Sequence, residues 1–187
     1  MSSFSRYGDI TSIDTTGASL ETANQDRLGY SGIAASQALM ATDLDRANRY
    51  RPLIYQVAHA QQIDPALIGA IASRESRVGA ALVNDWGDNG NAFGLMQVDR
   101  RWHSPRGSYD SREHLMQATE ILVGMIGAIK QKFPNWTKEQ QLKGALAAYN
   151  MGPDNVNGYH NVDANTTGRD YSNDVIARAK WLKANGF

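Results

Sequence analysis

The chain has 187 residues, enough for a domain with a substantial core, and its apolar and charged fractions, 42% and 20%, are those of a globular protein. Lys plus Arg and Asp plus Glu both number 19, so the formal net charge is zero, which argues against nucleic acid as a partner and leaves any polyanion to be met by local patches. There is no cysteine, which excludes a disulfide framework, thiolate metal sites and thiol nucleophiles.

The opening segment, MSSFSRYGDITSIDTTGAS, is polar and has no apolar h-region, so no signal peptide is read in it. Residues 1–30, rich in Ser, Thr, Gly and Asp, read as loop with one short helix. From about Ser31 to Gln62, the spacing of Ile33, Leu39, Leu44, Leu53, Ile54 and Val57 predicts two helices, broken at or just before Arg51-Pro52. Asp64-Pro65 then opens another helix, a capping carboxylate followed by a proline whose missing N–H costs nothing at a first helical position. At roughly 100° per residue, Leu67, Ile68, Ile71 and Val78 fall on one face, and Glu75 falls on that same apolar stripe, while Ser73, Ser76 and Arg77 point elsewhere.

The stretch NDWGDNGNAFGLMQVDRR changes character: its glycines and alternating side chains predict a hairpin or small sheet. If it is extended, Leu95, Gln97 and Asp99 share one face and Met96 and Val98 the other. A long helix follows from about Arg112 to Phe133, ended by Pro134. Thr137 with Gln140 gives capping-box spacing at the start of the next helix, and a last one runs from about Asp170 to Ala184. No internal repeat or low-complexity linker divides the chain, and no apolar run approaches bilayer length, so a single domain without a membrane span is expected.

Glu75 carries the sharpest chemical question. A carboxylate on a core-facing stripe is expensive to bury ionised. Either it pairs with Arg74 or Arg77, or it is an acid whose apolar setting raises its pKa and keeps its proton. Asp85, Asp88 and Asp99 in the Gly-rich stretch would stay ionised, which supplies the two environments that glycoside hydrolysis needs. Asp85 and Asp88 are equally turn residues of the kind chosen for Asx hydrogen bonds. Tyr149 and Asn150 of AYNMG end a helix, where they could meet a sugar or simply stop the helix before Gly152. Trp86, Trp102, His103 and Tyr109 form an aromatic neighbourhood of the sort that more often closes a core than binds a ligand.

Other chemistries lack their patterns. The four histidines form no HExxH or close pair, so no metal site is expected. DWGDNG starts like a calcium loop but has Gly87 at its third position and Met96 at its twelfth. GYSG lacks nucleophile-elbow spacing, and no phosphate- or dinucleotide-binding fingerprint is present. No cofactor is expected. Two sequons, at Asn135 and Asn165, could be glycosylated in a secreted chain.

Taken together, DTTGAS (14–19), SRES (73–76), WGDNGNAFGLMQVD (86–99), KFPNWT (132–137), QLKG (141–144), AYNMG (148–152) and YSNDVIARA (171–179) resemble goose-type lysozyme, in order and over essentially the whole chain. The Glu-Ser pair, GLMQ and AYN are also shared with lytic transglycosylases. The resemblance implies an α+β, predominantly helical, lysozyme-like fold with a small three-stranded antiparallel sheet beside a cleft for bacterial peptidoglycan. It implies hydrolysis of the β-1,4 bond between N-acetylmuramic acid and N-acetylglucosamine with inversion, in antibacterial defence. Glu75 becomes the general acid, and Asp88 and Asp99 the candidates that hold and activate water. Gln97, His103, Tyr149, Asn150 and Tyr171 would line the sugar subsites. A lytic transglycosylase and a non-catalytic peptidoglycan-binding protein are the rival readings. A periplasmic bacterial inhibitor protein is an expected partner, a monomer the expected state, and an extracellular location the family's expectation. Bird members carry cysteines and fish-type relatives lack them; this chain, with none and no signal peptide read, leaves cytoplasmic storage or unconventional release open.

Overall fold

The computed structural model describes Phe4 and residues 6–187. Its helices wrap a short, apolar helix. After a first turn of helix, α1 (Leu20–Ala23), come α2 (Ile33–Gln61), α3 (Pro65–Ser76), α4 (Arg112–Lys132), α5 (Lys138–Met151) and α6 (Tyr171–Ala184). Between α3 and α4 lie the two-residue strands β1 (Trp86–Gly87), β2 (Ala92–Phe93) and β3 (Val98–Asp99). They form one antiparallel sheet in the order β1-β2-β3, with Trp86 opposite Phe93 and Ala92 opposite Asp99. The α+β, mainly helical class and the three-stranded sheet therefore stand as expected.

α3 is the centre. Asp64 caps it through a bond from the Ala66 amide, and Pro65 opens it. Leu67, Ile68 and Ile71 are fully buried, as the stripe predicted, but so are Ala66, Gly69, Ala70, Ala72, Ser73 and Ser76. The helix is apolar all round, the pattern of a helix inside a core. The two serines do not face solvent as their spacing suggested. Ser73 donates to Asp43 at 2.7 Å and accepts from Arg178 at 2.8 Å, and Ser76 donates to the Leu95 carbonyl at 2.7 Å, so each buried hydroxyl is satisfied.

Two further expectations are corrected. α2 is one continuous helix of 29 residues with Pro52 inside it. Pro52 and the residue four before it, Asn48, both lie on the exposed side, so the carbonyl that loses its partner is left to water. The segment Leu95–Asp99 is not an extended strand: Gly94 and Gln97 have φ of +77° and +57°, a turn that interrupts the alternation. Gly94 is required there, because a side chain would drive into His114 and the Tyr109 carbonyl. The capping box at Thr137 and Gln140 forms as read.

Candidate active site

α3 ends in two successive left-handed residues, Arg77 and Val78, at φ of +54° and +50°. Their amides return to the carbonyls of Ser73 and Ala72, closing the helix immediately after Glu75 and Ser76. The acid is thus carried on the last turn of the most buried helix. Ser76, bonded to Leu95, ties that turn to the loop between β2 and β3.

The same loop is pinned from two other helices. The Met96 amide donates to His114 Nε2 on α4 at 3.0 Å, and Tyr149 Oη on α5 donates to the Met96 carbonyl at 2.7 Å. Gln97 turns its amide back to the Ala92 and Gly94 carbonyls, at 3.2 and 3.0 Å, and packs across Gly87, where a Cβ would displace the Gln97 amide. It does not share a strand face with Asp99.

Glu75 is half-buried and makes no ion pair among the described residues. Arg74 turns instead to Asp170 and Asp174, and Arg77 to Asp26. The ion-pair reading of Glu75 is thereby overturned. Among the described residues its carboxyl accepts one hydrogen bond, from Tyr171 Oη at 2.6 Å to Oε1. Loss of water around the carboxyl pushes its pKa up to about 7, against the lowering effects of the Tyr171 bond and the nearby Arg74 charge; the Asp88 charge pushes it further up.

Asp99 sits in the opposite environment. Its carboxylate accepts the Arg101 backbone N–H at 2.9 Å and three guanidinium bonds, Nε to both oxygens at 3.0 and 3.2 Å and Nη2 at 2.7 Å, and the side-chain bonds hold its pKa below the usual aspartate value. Asp88 follows β1 in a left-handed conformation, φ +48°, and its side chain is 57% exposed. Arg101 Nη2 also reaches Asp88 Oδ2, at 3.6 Å, so one guanidinium spans both aspartates. This link was missed in the sequence, although VDRR places Arg101 two residues after Asp99. Asp85 lies outside this set: its carbonyl accepts the Gly94 amide and its φ is +75°, a turn role.

The remaining candidates border the same region. The His103 amide donates to the Asp99 carbonyl at 3.0 Å. Asn150 is engaged with Thr167, accepting its amide at 3.0 Å and donating to its hydroxyl at 3.2 Å, which holds the turn before α6. Tyr171 is buried with its ring 5.2 Å from the Arg74 guanidinium. Trp102, read as a core-closing aromatic, is 80% exposed. A surface cavity of about 570 Å³ is lined by Trp86, Asp88, Asn89 and Arg100 among others; it reaches Asp88 but not Glu75.

A carboxyl whose pKa is raised by burial, together with a carboxylate held low by an arginine, is the pairing that glycoside hydrolysis uses. The Lysozyme g family model matches residues 7–186. The chain belongs to the lysozyme g family. Similar members include lysozyme g of Epinephelus coioides, 56% identical over 95% of this chain and 96% of the relative. Lysozyme g of Struthio camelus is 55% identical over 97% and 89%, and that of Cyprinus carpio 53% identical over 97% and 98%. Membership in this family makes the chain a glycoside hydrolase of the lysozyme kind, and Glu75 belongs to the part of the chain that the family covers.

Proposed function

We propose that the chain forms a single catalytic domain that cleaves the β-1,4 bond between N-acetylmuramic acid and N-acetylglucosamine in bacterial peptidoglycan, with inversion. Glu75 donates its proton to the leaving oxygen. Asp88 and Asp99 hold and activate the attacking water from the other face, which requires an acid–base separation of roughly 6.5–9.5 Å. Tyr171 orients the Glu75 carboxyl, and Gln97, His103, Tyr149 and Asn150 line the sugar subsites. The observation that carries this reading is the half-buried Glu75, with no ion pair among the described residues and a pKa raised to about 7, beside aspartates of which one is held ionised by Arg101. The same site is the surface a periplasmic bacterial inhibitor protein would cover. An extracellular, monomeric enzyme acting in antibacterial defence fits this use.

Glu75→Gln is the test. It keeps the shape of the side chain and removes the transferable proton, so lysis of bacterial walls falls by at least 10²-fold, the scale of a general acid, with the circular-dichroism spectrum unchanged. Substantial lysis by a folded Glu75→Gln protein refutes the assignment. Products with a reducing end of α configuration establish water attack with inversion; 1,6-anhydro ends would mean internal transglycosylation instead.

A further inference from the structure

Arg74 precedes the acid in sequence, and its charge acts on the Glu75 carboxyl in favour of the anion. A general acid must carry its proton when substrate arrives, so an uncancelled guanidinium next to it opposes the chemistry. The chain answers from α6 and the turn before it. Arg74 Nη1 donates to Asp174 Oδ2 at 2.8 Å and to Asp170 Oδ1 at 3.0 Å, and Nη2 donates to the Thr167 carbonyl at 2.9 Å.

Asp174 is not Arg74's alone. Arg178, fully buried, donates from Nε to Asp174 Oδ1 at 3.0 Å and places Nη2 2.9 Å from Oδ2. The two arginines and Asp174 together carry one positive charge in excess. Asp170 removes it. Its carboxylate is 4% exposed, and its second oxygen meets an uncharged donor, the Ser19 amide, at 2.8 Å. Asp170 also begins the helix that carries Tyr171, whose hydroxyl rests on Glu75.

We infer that Asp170 is a positioning residue for the acid: its carboxylate completes a neutral cluster with Arg74, Asp174 and Arg178, cancelling the guanidinium beside Glu75 while fixing the start of α6 so that Tyr171 stays on the carboxyl. The inference rests on Glu75 being the acid of the reaction. The charged and titratable groups facing Glu75 are Arg74 on α3, Asp88 after β1, Tyr149 on α5 and Tyr171 on α6, with Asp170 and Asp174 behind Arg74.

Opposite substitutions give opposite results. Asp170→Asn keeps the shape and leaves the cluster positive, so Glu75 loses its proton at lower pH. Arg74→Gln removes the guanidinium charge, so Glu75 keeps its proton to higher pH. The readouts are the Glu75 carboxyl titration, followed by carbon-13 NMR, and the alkaline limb of kcat/KM on solubilised peptidoglycan. A downward shift of about one unit is expected for Asp170→Asn and an upward one for Arg74→Gln. Arg74→Lys, which retains the charge, leaves the titration near its original position. Two variants that shift Glu75 in the same direction, or not at all, overturn the inference. If Asp170→Asn does not fold, the sign of the Arg74→Gln shift decides. If neither folds, the unaltered protein decides: Glu75 titrating at or below the ordinary 4.5 overturns the inference, because the lowering effects, the Arg74 charge among them, would then outweigh the burial that raises it. A titration that shifts as expected while the kinetic limb stays fixed leaves the cluster intact and removes Glu75 as the acid.

Discussion

At the scale of single residues, two carboxyl groups of the proposed site, Glu75 and Asp99, are pushed apart in pKa by their surroundings. Glu75 is raised to about 7 by loss of water, and Asp99 is lowered by the Arg101 bonds. Activity should therefore follow a bell, with an alkaline limb near pH 7 and an acidic limb below the ordinary aspartate value of 3.8. Each limb has its own handle. Tyr171→Phe deletes the hydrogen bond that favours ionised Glu75, so the alkaline limb moves upward by about one unit, the equivalent of ~1.4 kcal/mol from one bond to a charged acceptor. Arg101→Ala frees both aspartates from their shared guanidinium, and the acidic limb moves upward because the strongest bonds lost are those of Asp99. A limb that stays fixed in Arg101→Ala shows that neither carboxylate held by this guanidinium sets it.

At the scale of elements, the loop between β2 and β3 depends on a neutral histidine. His114 is fully buried, accepts the Met96 amide at Nε2 and has no hydrogen-bond partner at Nδ1 among the described residues; burial lowers its pKa from 6.5 to about 4. A proton on Nε2 would turn that acceptor into a donor facing an N–H. The unfolded chain binds this proton at a higher pH than the folded one, so stability is complete above 6.5 and falls as pH drops toward 4, by up to about 3 kcal/mol. Glu75 slopes the other way: its raised pKa contributes stability below 4.5 that is lost as pH rises through about 7. Denaturant melts at pH 4, 5, 6 and 7 separate the two. In a Glu75→Gln background the acid loss should steepen, and adding His114→Gln should flatten it.

These elements also mark what the sequence could show. Caps and breakers are local, so the starts at Asp64 and Thr137 and the stop at Pro134 were legible from neighbouring residues. Pro52 misled because its cost depends on which side of α2 faces water, a tertiary fact. The serines of α3 misled because hydroxyls read as polar until their buried partners, Asp43 and the Leu95 carbonyl, are known. The apolar stripe did place Glu75, but the choice between ion pair and acid needed the contact with Tyr171, 96 residues away, which no spacing rule reaches.

At the scale of the whole molecule, the core is continuous from Ile10 to Phe187, and the ionic cluster of Arg74, Asp170, Asp174 and Arg178, linked to Asp43 through the Ser73 hydroxyl, lies within it. Breaking one partner of such a buried set leaves an uncompensated charge and costs several kcal/mol, so the cluster selects one arrangement of α2, α3 and α6. Nothing covalent supports that choice, since the chain has no cysteine. The same lack removes one common route to irreversible denaturation, because no thiol or disulfide can exchange in the heated chain. Heat-unfolded protein should therefore return on cooling. Repeated calorimetric scans of one dilute sample at neutral pH should superimpose, and lytic activity after each cycle should recover to near its starting value. A midpoint that rises with scan rate, or a second scan without a transition, would show that aggregation captures the unfolded chain faster than the core re-forms.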